Sequence, residues 1–176
     1  VSTLPRTLAF DGERIWTSGC WETLLYRQDV DGNAIDPLET EGAGPIVLFF
    51  DGEHIWTANA HSDTVTKFSR DGEALGNFDV GDVPIAFTEE GDHIWVANWR
   101  EHTVSKLSKE GDDLGRFDTG RLPYGIEFDG EHIWTANSMD GTVSKLSLDG
   151  EVVATYPVGA APAKILSVNG EIWVTL

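Results

Sequence analysis

The stretch PYGIEFDGEHIWTANSMDGTVSKLSLDG, running from Pro123 to Gly150, decides the fold. It reads as short strands separated by tight turns. The first follows the proline and ends at Phe128. The second is Ile-Trp-Thr-Ala, Ile133 to Ala136. The third is Thr-Val-Ser-Lys-Leu-Ser, residues 142–147. The Asp149-Gly150 pair then turns the chain into a fourth, Glu151 to Tyr156. Asp-Gly between short apolar–polar runs signals a hairpin, because glycine reaches positive φ without a Cβ clash. No segment carries a sustained helical period.

Outward from this stretch the same anchors recur. Ile-Trp stands at 15–16, 55–56, 94–95, 133–134 and 172–173, at spacings of 40, 39, 39 and 39 residues. A proline precedes each Ile by ten residues: Pro5, Pro45, Pro84, Pro123 and Pro162. Four of the units share a second turn at one offset, in Asp31-Gly32, Asp71-Gly72, Glu110-Gly111 and Asp149-Gly150. A fixed period near 40 marks a repeat array, and four strands per period match one β-propeller blade. The expected fold is all-β, a propeller or propeller fragment of four-stranded antiparallel blades. The expected units are 5–44, 45–83, 84–122 and 123–161, with 162–176 as a partial fifth.

Blade faces pack on neighbouring blades, so an open array exposes an apolar face at each end, which soluble proteins avoid. Three arrangements answer this. The hairpin at 162–176 wedges into a compact five-blade ring, two chains join as a homodimer that closes a larger ring, or the segment is part of a longer chain.

The pattern Pro-x-Gly-Ile-x-Phe-Asp-Gly-x-x-Ile-Trp-Thr-Ala-Asn, followed by Thr-Val-Ser-Lys-Leu and Asp-Gly, resembles NHL/YncE-type propeller repeats. It is also similar to the repeats of virginiamycin B lyase. The resemblance spans essentially the whole chain and implies the propeller fold. Such propellers host enzymes, binding modules and scaffolds alike, so it does not fix an activity. The lyase's catalytic His and Glu constellation has no counterpart that can be placed here, and none of its active site is carried over.

Composition narrows the function classes. The 176 residues carry 30 acidic against 12 basic side chains, a formal charge of −18. Nucleic acid is therefore not an expected partner, since phosphate binding needs a surplus of Lys and Arg. No apolar run approaches the ~18 residues of a membrane helix, so membrane insertion is not expected and the chain reads as soluble. A single cysteine, Cys20, excludes an intrachain disulfide framework and a cysteine zinc site, and leaves the compartment open. No cofactor is implied.

What recurs in every unit most economically serves the fold. Trp16, Trp56, Trp95, Trp134 and Trp173 are expected between blades. Asn59, Asn98 and Asn137 read as turn residues, because Asn tolerates left-handed backbone. Arg27, Lys67, Lys106 and Lys145 share one place in the third strand, where their stems cover apolar surface and their heads pair with carboxylates. A cation ring for an anionic ligand is the alternative. The Asp-Gly-Glu turns, with Asp11, Asp51 and Asp129 among them, read as one solvated, strongly negative face. His54, His93 and His132 precede the Ile-Trp pair at a position that also takes Arg14 and Glu171, so it reads as a solvent position.

What varies between units points to recognition. In a propeller the loops joining strands two and three share a face with the links between blades. Those loops hold Trp21, His61, Asp63, Trp99, Arg100 and His102, and the link position after Pro123 holds Tyr124. Aromatic, Arg and His side chains on loops of a rigid scaffold are what binding surfaces use. These seven are the candidate binding residues. No catalytic or metal-ligating set is assigned, and no G-x-S-x-G, H-E-x-x-H or phosphate loop is present. The expected function is a non-catalytic binding or scaffold propeller for a protein or small-molecule ligand. Two alternatives stand beside it. One is a lyase- or lactonase-like propeller enzyme with a metal-assisted site, for which His61, Asp63, Glu101 and His102 are the available groups. The other is a lectin-like module stacking sugars on Trp21 and Trp99.

Overall fold

The computed structural model describes residues 5–19 and 23–176. Trp21, one of the candidate binding residues, lies outside the described residues together with Cys20 and Glu22. The chain divides into two compact units, the first ending at Asp79 and the second beginning at Val80.

The first unit holds two four-stranded antiparallel sheets. One is β1 (Pro5–Phe10), β2 (Arg14–Gly19), β3 (Leu24–Asp29) and β4 (Ala34–Glu39). The other is β5 (Pro45–Phe50), β6 (Ile55–Asn59), β7 (Thr64–Phe68) and β8 (Ala74–Asp79). The second unit holds β9 (Pro84–Glu90), β10 (His93–Asn98), β11 (Thr103–Ser108) and β12 (Asp113–Asp118), then β13 (Pro123–Phe128), β14 (Ile133–Asn137), β15 (Thr142–Leu146) and β16 (Val152–Pro157). It closes with a two-stranded hairpin, β17 (Ile165–Val168) and β18 (Glu171–Val174). In every sheet the spatial order of the strands is their order in sequence. The fold is a β-propeller of four full blades and a partial fifth, as the repeat predicts, and it contains no helix among the described residues.

Alternation along the strands explains how the blades pack. In the first blade the register pairs Ala9 with Trp16 and Trp16 with Arg27, so these share one face. That face meets Leu48, Ile55 and Phe68 of the second blade, and Trp16, Leu25, Ile55 and Phe68 are almost fully buried. The second unit repeats the scheme. Trp95, Ala97 and Val104 pack on Ile126, Ile133 and Leu146, and Trp134, Ala136 and Val143 pack on Ile165, Ile172 and Val174. A buried indole removes ~150–250 Å² from water, which at ~25 cal/mol per Å² is an upper figure of about 4–6 kcal/mol.

Each full blade then encloses its tryptophan from within. Lys67, Lys106 and Lys145 lie over the rings of Trp56, Trp95 and Trp134 at 5.4, 5.0 and 5.4 Å, and Arg27 lies over Trp16 at 5.3 Å. Phe78, Phe117 and Tyr156 of the fourth strands add ring contacts to the same three indoles, with centroids 5.6–5.9 Å apart. The shared cation of the third strand is thus a lid on the indole. Its head groups also find oxygens: Arg27 donates to the Asp71 and Asp36 carbonyls, and Lys106 to the Leu148 carbonyl. Trp173 departs from the expectation of a buried core residue. It is 61 % exposed on the β17–β18 hairpin.

Three further readings are corrected. Asp11 and Asp51 are buried rather than solvated, and Asp129 is half-buried. In each, Oδ1 accepts from the backbone N–H groups two and three residues on, and Oδ2 accepts from the indole N–H five residues on, at 2.7, 2.8 and 2.6 Å. The acid closes the first turn and fixes the tryptophan at once. Burial pushes these carboxyls up, but the indole and backbone hydrogen bonds together outweigh it and hold all three below the ordinary aspartate range. The asparagines are not turn residues either. Each ends a second strand with its side chain fully buried, and Nδ2 donates to two hydroxyls of the third strand: Thr64 and Thr66, Thr103 and Ser105, Thr142 and Ser144. A glycine of the preceding link abuts each one; a Cβ on Gly42, Gly81 or Gly120 would lie 2.2, 2.5 or 2.4 Å from that Nδ2. His54 and His93 are half-buried rather than free in solvent, and His93 Nδ1 lies 2.9 Å from Glu90 Oε2.

Candidate functional site

The loops between second and third strands are four-residue turns: 60–63, 99–102 and 138–141. Their frame is made of main chain. In the first unit, Ala60 and His61 N–H donate to the carbonyls of Gly44 and Ala43 in the link before the blade. In the second unit, Trp99 and Arg100 donate to Val83 and Asp82, and Ser138 and Met139 donate to Leu122 and Arg121. The last turn residue is left-handed each time: Asp63 at φ 57°, His102 at 67° and Gly141 at 67°. Asp, His and Gly suit that position because they enter the left-handed region at lower cost than β-branched residues. The link residues before the prolines are left-handed as well, at Gly44, Val83, Leu122 and Ala161.

On this frame the candidate residues fall into separate places. His61 and Asp63 are exposed on the second blade's turn, and the His61 ring covers Gly44, where a Cβ would lie 2.5 Å from Nδ1. Trp99, Arg100 and His102 share the third blade's turn. Arg100 is exposed and Trp99 half-buried. The Trp99 indole N–H is shielded and has no acceptor among the described residues, so the side chain offers ring surface rather than a donor. His102 faces inward along the turn: its Nδ1 accepts the Leu122 backbone N–H at 3.1 Å. The turn is thereby fastened to the link that leads to Tyr124. Tyr124 is half-buried on β13, with Lys164 Nζ 5.6 Å from its ring centroid.

The second unit adds Arg121 and Asp140, a pair that sequence reasoning missed, and engages Glu101, one of the groups available to the enzyme reading. Asp140 receives the Arg121 backbone N–H at 2.7 Å and its Nε–H at 2.6 Å. Those two hydrogen bonds, and the Arg121 charge, hold the Asp140 carboxyl below the ordinary range. Glu101 accepts from Thr103 Oγ1 at 2.9 Å and pairs with Arg116 at 3.3 Å. The spacing of Arg121 and Asp140, one on a link and one on a turn, was the available signal. Among the described residues no three His, Cys, Asp or Glu side chains converge as a metal site. No helix among them is long and apolar enough to cross a membrane.

No protein-family model matches the chain, and no curated protein matches it. Solved structures do. A streptogramin B lyase superposes with a TM-score of 0.84 at 19 % identity, over 97 % of this chain and 61 % of that one. A catalytically inactive virginiamycin B lyase from Staphylococcus aureus, solved with quinupristin, gives 0.84 at 14 % identity, over 97 % and 62 %. A functionally unknown protein from Desulfotomaculum acetoxidans DSM 771 gives 0.81 at 13 % identity, over 98 % and 62 %. The chain has the propeller fold of the virginiamycin B lyase-like proteins and spans about three fifths of the length of these structures.

Proposed function

We propose that the chain is a binding module whose ligand, a protein segment or a small molecule, is recognised by the turns between second and third strands, with Trp99 and Arg100 as principal contacts. One observation carries the reading. The turns 60–63, 99–102 and 138–141 repeat the same main-chain hydrogen bonds to the preceding link, while their exposed side chains differ entirely. A frame held by backbone leaves the side chains free for recognition, which is how binding loops on rigid scaffolds work. In the third blade that freedom yields a half-exposed indole beside an exposed guanidinium, a pair suited to a planar group next to an anion or carbonyl.

The lyase-like reading rests on the likeness to the lyase structures and needs an acid–base pair on this same face. The two are separated by a thermal-midpoint screen of the intact chain against short peptides and small aromatic acids, with quinupristin as an explicit probe. The binding reading expects a hit for which Arg100→Ala needs at least tenfold more ligand to reach the same shift. It also expects Trp99→Ala to weaken the hit without unfolding the blade. A loss of about 3 kcal/mol or more of stability in Trp99→Ala, the cost of a core aromatic, sinks the site. Chemical conversion of quinupristin by the chain replaces the binding reading with the lyase one.

A further inference from the structure

A crevice of about 400 Å³ in the second unit opens beside the buried Asn137. It is lined by Thr119 and Gly120 of the link and by Asp140, Thr142, Ser144 and Thr155 of the fourth blade. The asparagine orients its donors. Asn137 Nδ2 donates to the Thr142 and Ser144 hydroxyl oxygens at 3.1 and 2.9 Å. Each of those hydroxyls has accepted from Nδ2 and must turn its own O–H elsewhere. No acceptor among the described residues takes either one. Ser144 pairs across the strands with Thr155, which puts a third hydroxyl on the same face.

The second and third blades cover the equivalent hydroxyls. In the second, Thr66 donates to Asn77 Oδ1 at 2.9 Å, and Thr64 shares a hydrogen bond with Ser62 at 3.0 Å. In the third, Thr103 donates to Glu101 Oε2 at 2.9 Å, and Arg116, opposite Ser105, pairs with the same carboxylate at 3.3 Å. Asn77 and Arg116 hold the fourth-strand place that Thr155 holds in the fourth blade. Threonine is too short to reach over the hydroxyl pair. Asp140, which stands where the other turns have Ser62 and Glu101, is drawn off as well: its oxygens accept the Arg121 backbone N–H and Nε–H. Two side-chain differences thus leave the hydroxyls of this blade uncovered.

We infer that this crevice binds a small polyhydroxyl ligand, a sugar or sugar alcohol. Thr142, Ser144 and Thr155 give O–H groups to ligand oxygens. The Asp140 carboxylate keeps lone pairs beyond its two bonds to Arg121 and accepts ligand hydroxyls. An anion is disfavoured by that carboxylate. A cation is disfavoured because hydroxyl protons face the crevice and the Asp140 charge is already paired with Arg121. A ligand that both gives and accepts hydrogen bonds meets all of these groups. The volume lies within the roughly 300–1,000 Å³ of small-molecule sites. The site is separate from the indole–guanidinium pair of Trp99 and Arg100, which stands on another blade, and does not depend on it.

Nuclear magnetic resonance of the intact chain reads the site directly, with glycerol, myo-inositol, glucose, galactose and xylose as probes at millimolar concentrations. At least one probe gives saturable shifts at the methyl groups of Thr142 and Thr155 and at the Gly120 amide. Thr155→Asn recreates the cover that Asn77 gives Thr66 and weakens that probe about tenfold or more, while Trp99→Ala leaves its affinity unchanged. Thr155→Val keeps the shape and removes one hydroxyl; it weakens the probe about threefold or more and carries the test should Thr155→Asn misfold. Absence of saturable shifts with every probe overturns the inference, as does full affinity in both Thr155 variants. Loss of the shifts in Trp99→Ala assigns them to the other site and overturns it too, and a crevice that responds to calcium chloride or sodium acetate but to no polyol overturns the ligand chemistry.

Discussion

The second and third blades solve one problem with different acids. In the second, Asp51 closes a four-residue turn and accepts the Trp56 indole N–H at 2.8 Å. In the third, Glu90 stands in that place. Its longer side chain turns to His93, 2.9 Å away, and to Lys106 at 3.6 Å. The strands extend by one pair, Glu90 with His93, and the turn tightens to Gly91 and Asp92. The Trp95 indole N–H is left buried without a partner among the described residues. Both tryptophans are nevertheless fully buried. Packing of the indole therefore sets its place, and the acid adds a hydrogen bond to a position already determined.

The largest effect tests the shared part. Trp56→Ala and Trp95→Ala are each expected to lower unfolding free energy by about 3–5 kcal/mol in urea titrations. Similar losses are expected despite the missing hydrogen bond in the third blade; a far smaller loss at Trp95 would mean that the acid's grip on the indole, not packing, supplies most of the stability.

Removing the acid isolates the difference. Asp51→Ala deletes three hydrogen bonds to a buried carboxylate and should cost about 1.5–3 kcal/mol, with Trp56 emission unshifted. Its pH dependence has a definite sign. The Asp51 carboxyl is held low in the fold, so it stabilises above the ordinary aspartate range, and that contribution is lost as pH falls through the folded value. Acid unfolding should therefore be less steep in Asp51→Ala than in the unmodified chain, as read by stability measured between neutral and strongly acidic pH.

The smallest effect runs the other way. Glu90→Asp restores the shorter acid in the third blade and is expected to add about 1 kcal/mol by satisfying the Trp95 donor. Slowed hydrogen exchange at that indole is the direct readout. Unchanged exchange would mean that the tight Gly91-Asp92 turn, rather than side-chain length, keeps the two apart.

The period, the four strands per unit and the buried Trp16, Trp56 and Trp95 are legible in the sequence because apolar repetition at fixed spacing leaves few alternatives. The roles of the polar residues are not. Asp11, Asp51 and Asp129 read as surface charges because Asp-Gly-Glu is common in exposed turns. Their constant five-residue distance to a tryptophan is the signal, and only the turn geometry shows that it brings carboxylate to indole. The asparagines mislead for a related reason: a residue suited to left-handed backbone is equally suited to donate twice from a buried strand end. At the candidate site, residue type alone points to His102 and Asp63, whereas part of what selects them is the left-handed backbone of the turn's last position. Trp173 shows the limit of repetition itself, since an identical motif is buried only where a neighbour covers it.

The strictly sequential strand order has a consequence for synthesis. Within each sheet, every strand after the first pairs with the one made just before it, so a blade can assemble as soon as its own residues have emerged, and within each unit the later blade finds a finished surface to settle on. Growth of this kind never leaves a central strand waiting for a distant partner.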